Sequence, residues 1–130
     1  MDILLNGSSY SQDGIIGFTE PTNPRTGHSI GGWVQGQKYF RVTEFNGSSE
    51  VQTTPNNQWS SLSTTDFNHH EMIFQNGIIN YTVTNPSNTS KTVTLTPQYT
   101  GFTGGKLGLY IELFSGATTC YFKNVKVGAL

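Results

Sequence analysis

The sequence predicts an all-β domain, a sandwich or barrel of about ten short strands. Three observations predict this class. Runs of aromatic and β-branched residues alternate with turn clusters of Gly, Asn, Pro and Ser at spacings of roughly eight to twelve residues. No window shows the periodicity of an amphipathic helix. An Asn-Gly pair, Asn76-Gly77, separates two alternating runs and predicts a two-residue hairpin. The length of 130 residues and the absence of a composition break predict a single domain, 1–130.

The first half of the chain carries five predicted strands, each ended by a turn or loop signal. Two prolines and a glycine make 20–28 a loop, and Asn46-Gly47 turns the fourth strand into the fifth. The predicted strands are Asp2–Leu5, Gly14–Phe18, Ser29–Val34, Lys38–Phe45 and Glu50–Thr53.

The second half begins with a turn at 55–57 and continues with further short strands. The hairpin around Asn76-Gly77 follows, and the later strands are separated by the turn at 85–88 and the glycine-rich connection at 101–105. The predicted strands are Trp59–Leu62, His69–Gln75, Ile78–Val83, Thr92–Tyr99, Leu107–Phe114 and Thr118–Val127.

The Asn76-Gly77 turn determines which hairpin residues face each other. Gln75 is expected opposite Ile78, and pairing then continues outward to His69 opposite Thr84. One face of the hairpin is therefore apolar, and the other is polar, as in a sheet with one side on a core. The apolar face consists of Met72, Phe74, Ile79, Tyr81 and Val83, and the polar face consists of His69, Glu71, Asn80 and Thr82.

Composition limits the classes of partner and of cofactor. Charged residues are 12% of the chain and the net charge is -1, so neither nucleic acid nor insertion into a membrane is expected. Cys120 is the single cysteine and is expected to be a small buried apolar residue on a strand. No signal peptide is predicted from the opening residues, and the chain is expected to be part of a larger protein or assembly. No cofactor is expected.

The closing third of the chain resembles the last strands of concanavalin A-like jelly rolls, the group that includes laminin G-like and glucanase-like domains. The pattern G-x-x-G-L at 105–109 leads to F-x-N-V-x-V at 122–127, and in that family this second strand pairs with the N-terminal strand. The hairpin is similar too, with a histidine-bearing strand followed by I-x-Y-x-V at 79–83. The resemblance implies a two-sheet antiparallel β-sandwich of the jelly-roll type.

This resemblance also implies a non-catalytic carbohydrate-binding module that recognises a cell-surface or cell-wall polysaccharide. Similar small domains occur on bacteriophage tail and baseplate proteins, which suggests host adhesion and an extracellular or virion location. Saccharides need aromatic platforms and planar polar groups. The predicted concave face joins polar and aromatic residues of three strand segments, with tryptophans beside them. The expected carbohydrate-binding residues are Trp33, Tyr39, Arg41, Thr43, Gln52, Trp59, His69, Glu71, Asn80 and Thr82; core packing remains an alternative for the two tryptophans.

Two other functions stay open. A glycoside hydrolase of the glucanase type needs paired carboxylates, but Glu44 has no acidic partner two or four residues away, although Glu50 or Glu71 could approach from another strand. Enzymatic activity is therefore not expected. No metal site is expected, because adjacent His69 and His70 point to opposite faces of a strand. The third possibility is a decoration domain of a virion or surface assembly that binds no ligand.

Overall fold

In a computed structural model the described backbone covers residues 1–7, 11–19, 27–35, 38–55, 57–101, 106–113 and 118–128, and the described side chains are those of 1–5, 27–34, 38–55, 57–101, 108–109 and 119–128. The described residues form strands and no helix, which confirms the all-β prediction. No helix in this part of the chain is long and apolar enough to cross a membrane. The strands are β1 (Asp2–Gly7), β2 (Ser11–Thr19), β3 (His28–Gln35), β4 (Tyr39–Asn46), β5 (Ser49–Thr53), β6 (Asn57–Gln58), β7 (Asn68–Gln75), β8 (Ile78–Thr84), β9 (Ser90–Leu95), β10 (Lys106–Leu113) and β11 (Thr118–Lys123).

The strands form two antiparallel sheets. The first sheet has five strands in the order β11-β1-β7-β8-β9, and the second has six, in the order β10-β2-β3-β4-β5 with β6 also paired to β4. The chain starts in the first sheet, builds most of the second with β2 to β6, and returns to the first with β7 to β9. The expected pairing of the N-terminal strand with the strand containing Phe122 is confirmed, because Ile3 lies opposite Phe122.

The β7–β8 hairpin has the predicted register at every pair, from Gln75 opposite Ile78 to His69 opposite Thr84. Asn76 and Gly77 adopt φ of 53° and 75°, the left-handed values that a type I′ turn requires. Side-chain burial alternates along β8 accordingly. Ile79, Tyr81 and Val83 are fully buried, whereas Asn80 and Thr82 between them are half-buried. The two-residue turn therefore sets which face of the hairpin enters the core.

One predicted strand is absent, and two others end four residues earlier than predicted. Residues 59–62 form a turn closed by a hydrogen bond from the Leu62 N–H to the Trp59 carbonyl. β9 ends at Leu95, just before the proline at position 97, whose nitrogen cannot donate to a neighbouring strand. β11 ends at Lys123 because Asn124 adopts a left-handed φ of 54°.

Both sheets contribute to one hydrophobic cluster. Phe40 of the second sheet packs edge-to-face against Tyr81 of the first, with ring centroids 6.0 Å apart, and Gly32 leaves room for Tyr81 on the opposing sheet. Cys120 is half-buried and packs against this cluster, so it is less enclosed than expected. The cluster consists of Ile3, Ile30, Val34, Phe40, Val42, Leu62, Ile79, Tyr81, Val83, Val93 and Leu95.

Candidate functional site

The predicted site residues on the second sheet lie on its outer face but are largely enclosed. Trp33 is 4% exposed and Thr43 is 0% exposed, although their chain neighbours Val34 and Val42 are the ones in the core cluster. Arg41, opposite Trp33, pairs with Glu50 at 3.1 Å, while Tyr39 is half-buried. The expectation of an open cleft built on Trp33 and Thr43 is therefore wrong for the described structure.

Gln52 lies on the other face, beside Glu44. Its amide nitrogen donates to Glu44 Oε2 and to the Thr96 carbonyl, both at 2.6 Å. Glu44 is fully buried, and it also accepts hydrogen bonds from the backbone N–H groups of Gln98 and Tyr99, each at 2.8 Å. This carboxylate therefore anchors the segment after β9 to the second sheet, and Gln52 contributes to that anchor.

Trp59 packs against the core rather than forming an exposed platform. Its ring is half-buried and meets Phe40 edge-to-face at 6.2 Å between centroids. The backbone N–H of Trp59 donates to the Lys38 carbonyl at 2.8 Å. Core packing, the alternative that the sequence left open, describes this residue.

The hairpin residues lie on the outer face of the first sheet, and they occupy a surface that is open. His69 and Glu71 are exposed on β7, and Asn80 and Thr82 are half-buried on β8. The prediction that the β4, β5 and hairpin residues share a single concave sheet is therefore wrong: β4 and β5 belong to one sheet, β7 and β8 to the other.

Hydroxyl and amide groups on this outer face are joined across β8 and β9. Thr82 and Thr92 hydroxyls are 2.7 Å apart, and the Thr94 hydroxyl donates to the Asn80 side-chain oxygen Oδ1 at 2.9 Å. Such cross-strand pairs hold the side chains in position while leaving lone pairs and protons towards solvent. The result is an ordered array of neutral hydrogen-bonding groups.

A line of polar residues continues across the first sheet, one from each strand, and we call it the cross-strand row. The strand registers place its members opposite one another in turn, and neighbouring strands are roughly 4.8 Å apart. It therefore spans roughly 19 Å from β11 to β9. Its members are Lys123, Asp2, His69, Thr84 and Ser90.

Asp2 orders the centre of the cross-strand row. Its two carboxylate oxygens accept hydrogen bonds from His69 Nδ1 at 2.7 Å and from the Asn124 amide at 2.6 Å. Burial acts to raise the pKa of the Asp2 carboxyl, but these hydrogen bonds and the nearby positive charges outweigh it, so that the pKa lies below its ordinary value. Asp2 thus holds the His69 imidazole, whose side chain is 56% exposed.

Apolar and aromatic side chains lie next to the part of the cross-strand row that crosses β11, β1 and β7. Tyr121 is 48% exposed and lies opposite the half-buried Leu4. The Lys123 ammonium reaches over the Phe67 ring, 3.8 Å from its centroid. Sequence reasoning missed these residues because β1, β7 and β11 are distant in the chain. The signal that could have found them was the expected pairing of the first and last strands, which places Asp2 opposite Lys123.

The titratable side chains form no metal centre or carboxylate pair in the described part of the chain. No group of three or more His, Cys, Asp or Glu residues there is arranged to hold a metal ion. Glu44 lies on the core side of the second sheet, Glu50 pairs with Arg41 on the other side, and Glu71 belongs to the first sheet. The cross-strand approach of acids that a glucanase-type reaction would need is absent among these three residues.

Comparison of the chain with protein-family models, with curated proteins and with solved structures finds no match in any of the three.

Proposed function

We propose that this protein is a non-catalytic carbohydrate-binding module that recognises a saccharide with the outer face of its first sheet. The observation that carries the proposal is the cross-strand row and the array of hydroxyl and amide groups beside it. These groups are exposed or half-buried, they combine neutral groups with the charges of Asp2 and Lys123, and they are ordered by their own hydrogen bonds. Saccharide hydroxyls need such donors and acceptors, and little ordering entropy remains to be lost when they are already positioned.

The aromatic residues next to the row support the same ligand class. Tyr121 offers exposed ring surface for a pyranose, and the Asp2–His69–Asn124 network offers planar polar groups within the same area. The charges on this face include both signs, with Lys123 opposite Asp2 and Glu71 next along β7 from His69. A neutral polysaccharide therefore fits this surface better than a nucleic acid.

The proposal also includes a fold family and a biological setting. The order in which the chain crosses between the two sheets and the pairing of β1 with β11 support a jelly roll of the concanavalin A-like kind. With that resemblance goes a cell-wall polysaccharide as ligand and adhesion of a virion or another extracellular assembly to its host as the setting. The buried, fully bonded Glu44 supports the non-catalytic reading.

The test is retention of the full chain on insoluble cell-wall polysaccharide and on an array of soluble glycans. We expect binding that falls at least about tenfold in His69→Ala and in the double variant Asn80→Ala/Thr82→Ala. The control is Thr65→Ala, an exposed threonine outside the first sheet, which should bind as the parent does. Lack of retention on any saccharide, or equal loss in the control, would overturn the proposal and favour the ligand-free decoration domain.

A reducing-sugar release assay on any bound polysaccharide addresses catalysis separately. We expect no release by the parent protein. Release that Glu44→Gln abolishes, while the folded state is retained, would make the protein a hydrolase.

A further inference from the structure

Half of the exposed large apolar residues of the described chain lie on β11 and in the residues just after it, and the other three are the separate Val51, Ile78 and Leu109. The exposed large apolar residues of the described chain include Tyr121 at 48% and, further on, Val125 at 43% and Val127 at 77%. These three lie within seven consecutive residues. Soluble proteins rarely leave such a strip uncovered unless it meets a partner.

β11 is also an unprotected sheet edge. In the described residues its backbone pairs with β1 alone, so that alternate N–H and C=O groups point away from the sheet. The strand has no proline and no register shift against β1. Its charged residue, Lys123, reaches back across β1 to the Phe67 ring and so is drawn away from the free edge.

The other three edges carry the features that block strand addition. β10 has a register shift near Lys106, and β5 is short and has a register shift next to Glu50. The β9 edge adjoins the second sheet, since Lys91 Nζ donates to the Gln58 carbonyl and the Gln52 amide donates to the Thr96 carbonyl. β11 is thus the one edge, among those described, that carries none of these blocking features.

We propose that β11 pairs with β11 of a second copy of this chain, antiparallel and about a two-fold axis through Tyr121. This register keeps outer-face residues opposite outer-face residues, as antiparallel pairing requires. Tyr121 then meets Tyr121 of the second copy, Cys120 meets Phe122, and Thr119 meets Lys123. Aromatic pairs stabilise such contacts, and the two lysines are not opposite each other, so the strand is complementary to itself.

The dimer joins two five-stranded sheets into one continuous sheet of ten strands. Five residues of paired edge on each copy, 119–123, and the adjoining apolar side chains make a small interface, which corresponds to a reversible dimer with a dissociation constant on the order of micromolar. The pairing does not depend on the proposed saccharide function, because it uses the edge of the sheet rather than its face.

Sedimentation equilibrium of the full chain from about 2 to 200 µM tests the proposal. We expect a concentration-dependent shift to twice the monomer mass, and Tyr121→Lys should weaken it at least about tenfold by placing like charges opposite each other. Thr65→Lys, which adds the same positive charge at an exposed site outside the first sheet, should leave it unchanged. A monomer across the whole range, or equal weakening by both variants, would overturn the proposal.

Disulfide trapping tests the register. In a Cys120→Ser background, Tyr121→Cys should form a reducible covalent dimer under mild oxidation because the two residues lie directly opposite. Thr119→Cys, at another exposed position two residues away on the same face, should not, since the two copies of position 119 lie four residues apart along the strand direction. Cross-linking of position 119 as efficient as that of position 121, or cross-linking of neither, would contradict the proposed pairing.

Discussion

Two buried polar side chains, Glu44 and His70, hold different parts of the molecule in place. Glu44 receives three hydrogen bonds within the second sheet and from the segment after β9. His70 is fully buried in the first sheet, and its Nδ1 lies 2.7 Å from the Tyr81 hydroxyl. Both sites are sensitive to change, because burial makes an unpaired polar group costly.

Replacing Glu44 by alanine should destabilise the protein by about 2–4 kcal/mol, because the N–H groups of Gln98 and Tyr99 lose a charged acceptor. The measurement is the urea midpoint followed by tryptophan fluorescence. The control is Glu50→Ala, which removes an exposed carboxylate paired with Arg41 and should cost less than about 1 kcal/mol. Equal losses in the two variants would contradict the anchoring role of Glu44.

Stability should fall as the solution is acidified from pH 7 to pH 5, because of His70. The pKa of His70 is lowered from 6.5 to about 3, chiefly by burial. The positive charges of the N-terminal amine and His69 also lower this pKa, whereas the negative charge of Asp2 acts to raise it. The unfolded chain therefore takes up the proton first, so the stabilisation is complete above pH 6.5 and is lost as the pH falls towards 3. The expected slope is up to about 1 kcal/mol per pH unit.

Urea unfolding of the parent, His70→Gln and His69→Gln across this pH range checks the assignment. The slope should disappear in His70→Gln and persist in His69→Gln, whose side chain is exposed. Measurement above pH 5 avoids the titration of Asp2, whose pKa is lowered from 3.8. A slope unchanged in His70→Gln would assign it to another group.

At the scale of the element, the hairpin shows how much a two-residue turn determines. Gly77 has a φ of 75° and no atom within 4 Å of where a Cβ would lie. Gly77→Ala should therefore cost about 1–2 kcal/mol through backbone strain alone. Gly128→Ala, equally uncrowded but without a positive φ, should cost less than about 0.5 kcal/mol. Thermal or urea unfolding compares the two, and similar costs would contradict the strained-turn explanation.

The elements also show where local patterns are insufficient. The hairpin register was predicted because a type I′ turn permits one alignment. The strand expected at 59–62 was wrong because a short apolar run fits a turn as well as a strand; here the Leu62 side chain enters the core from that turn. The strands end early at 95 and 123 because of a nearby proline and because Asn124 is left-handed. In the sequence, these two signals are less evident than the alternating pattern that precedes them.

At the scale of the whole molecule, close approach of the two sheets depends on Gly32. A Cβ there would come within 2.9 Å of the Tyr81 ring and the Met72 methyl group on the opposing sheet. Because Tyr81 is fully buried and cannot move aside, Gly32→Ala should destabilise the protein by about 1–3 kcal/mol. Gly128→Ala again serves as the control. If Gly32→Ala were as stable as Gly128→Ala, the two sheets would be able to move apart at no cost in stability, which would contradict the prediction. Calorimetry or urea titration measures both.

The sequence by itself determined the all-β class, most strand positions, the hairpin register and the division of that hairpin into an apolar and a polar face. These depend on turn chemistry and on an alternation that repeats every two residues, both of which are local. Only the tertiary structure decided that the β4 and β7 residues lie on different sheets, that Trp33 is enclosed, and that Asp2, Tyr121 and Lys123 join His69 on one open face. The reason is that sheet membership and edge exposure depend on pairing between strands far apart in the chain, which the local pattern of each strand does not specify.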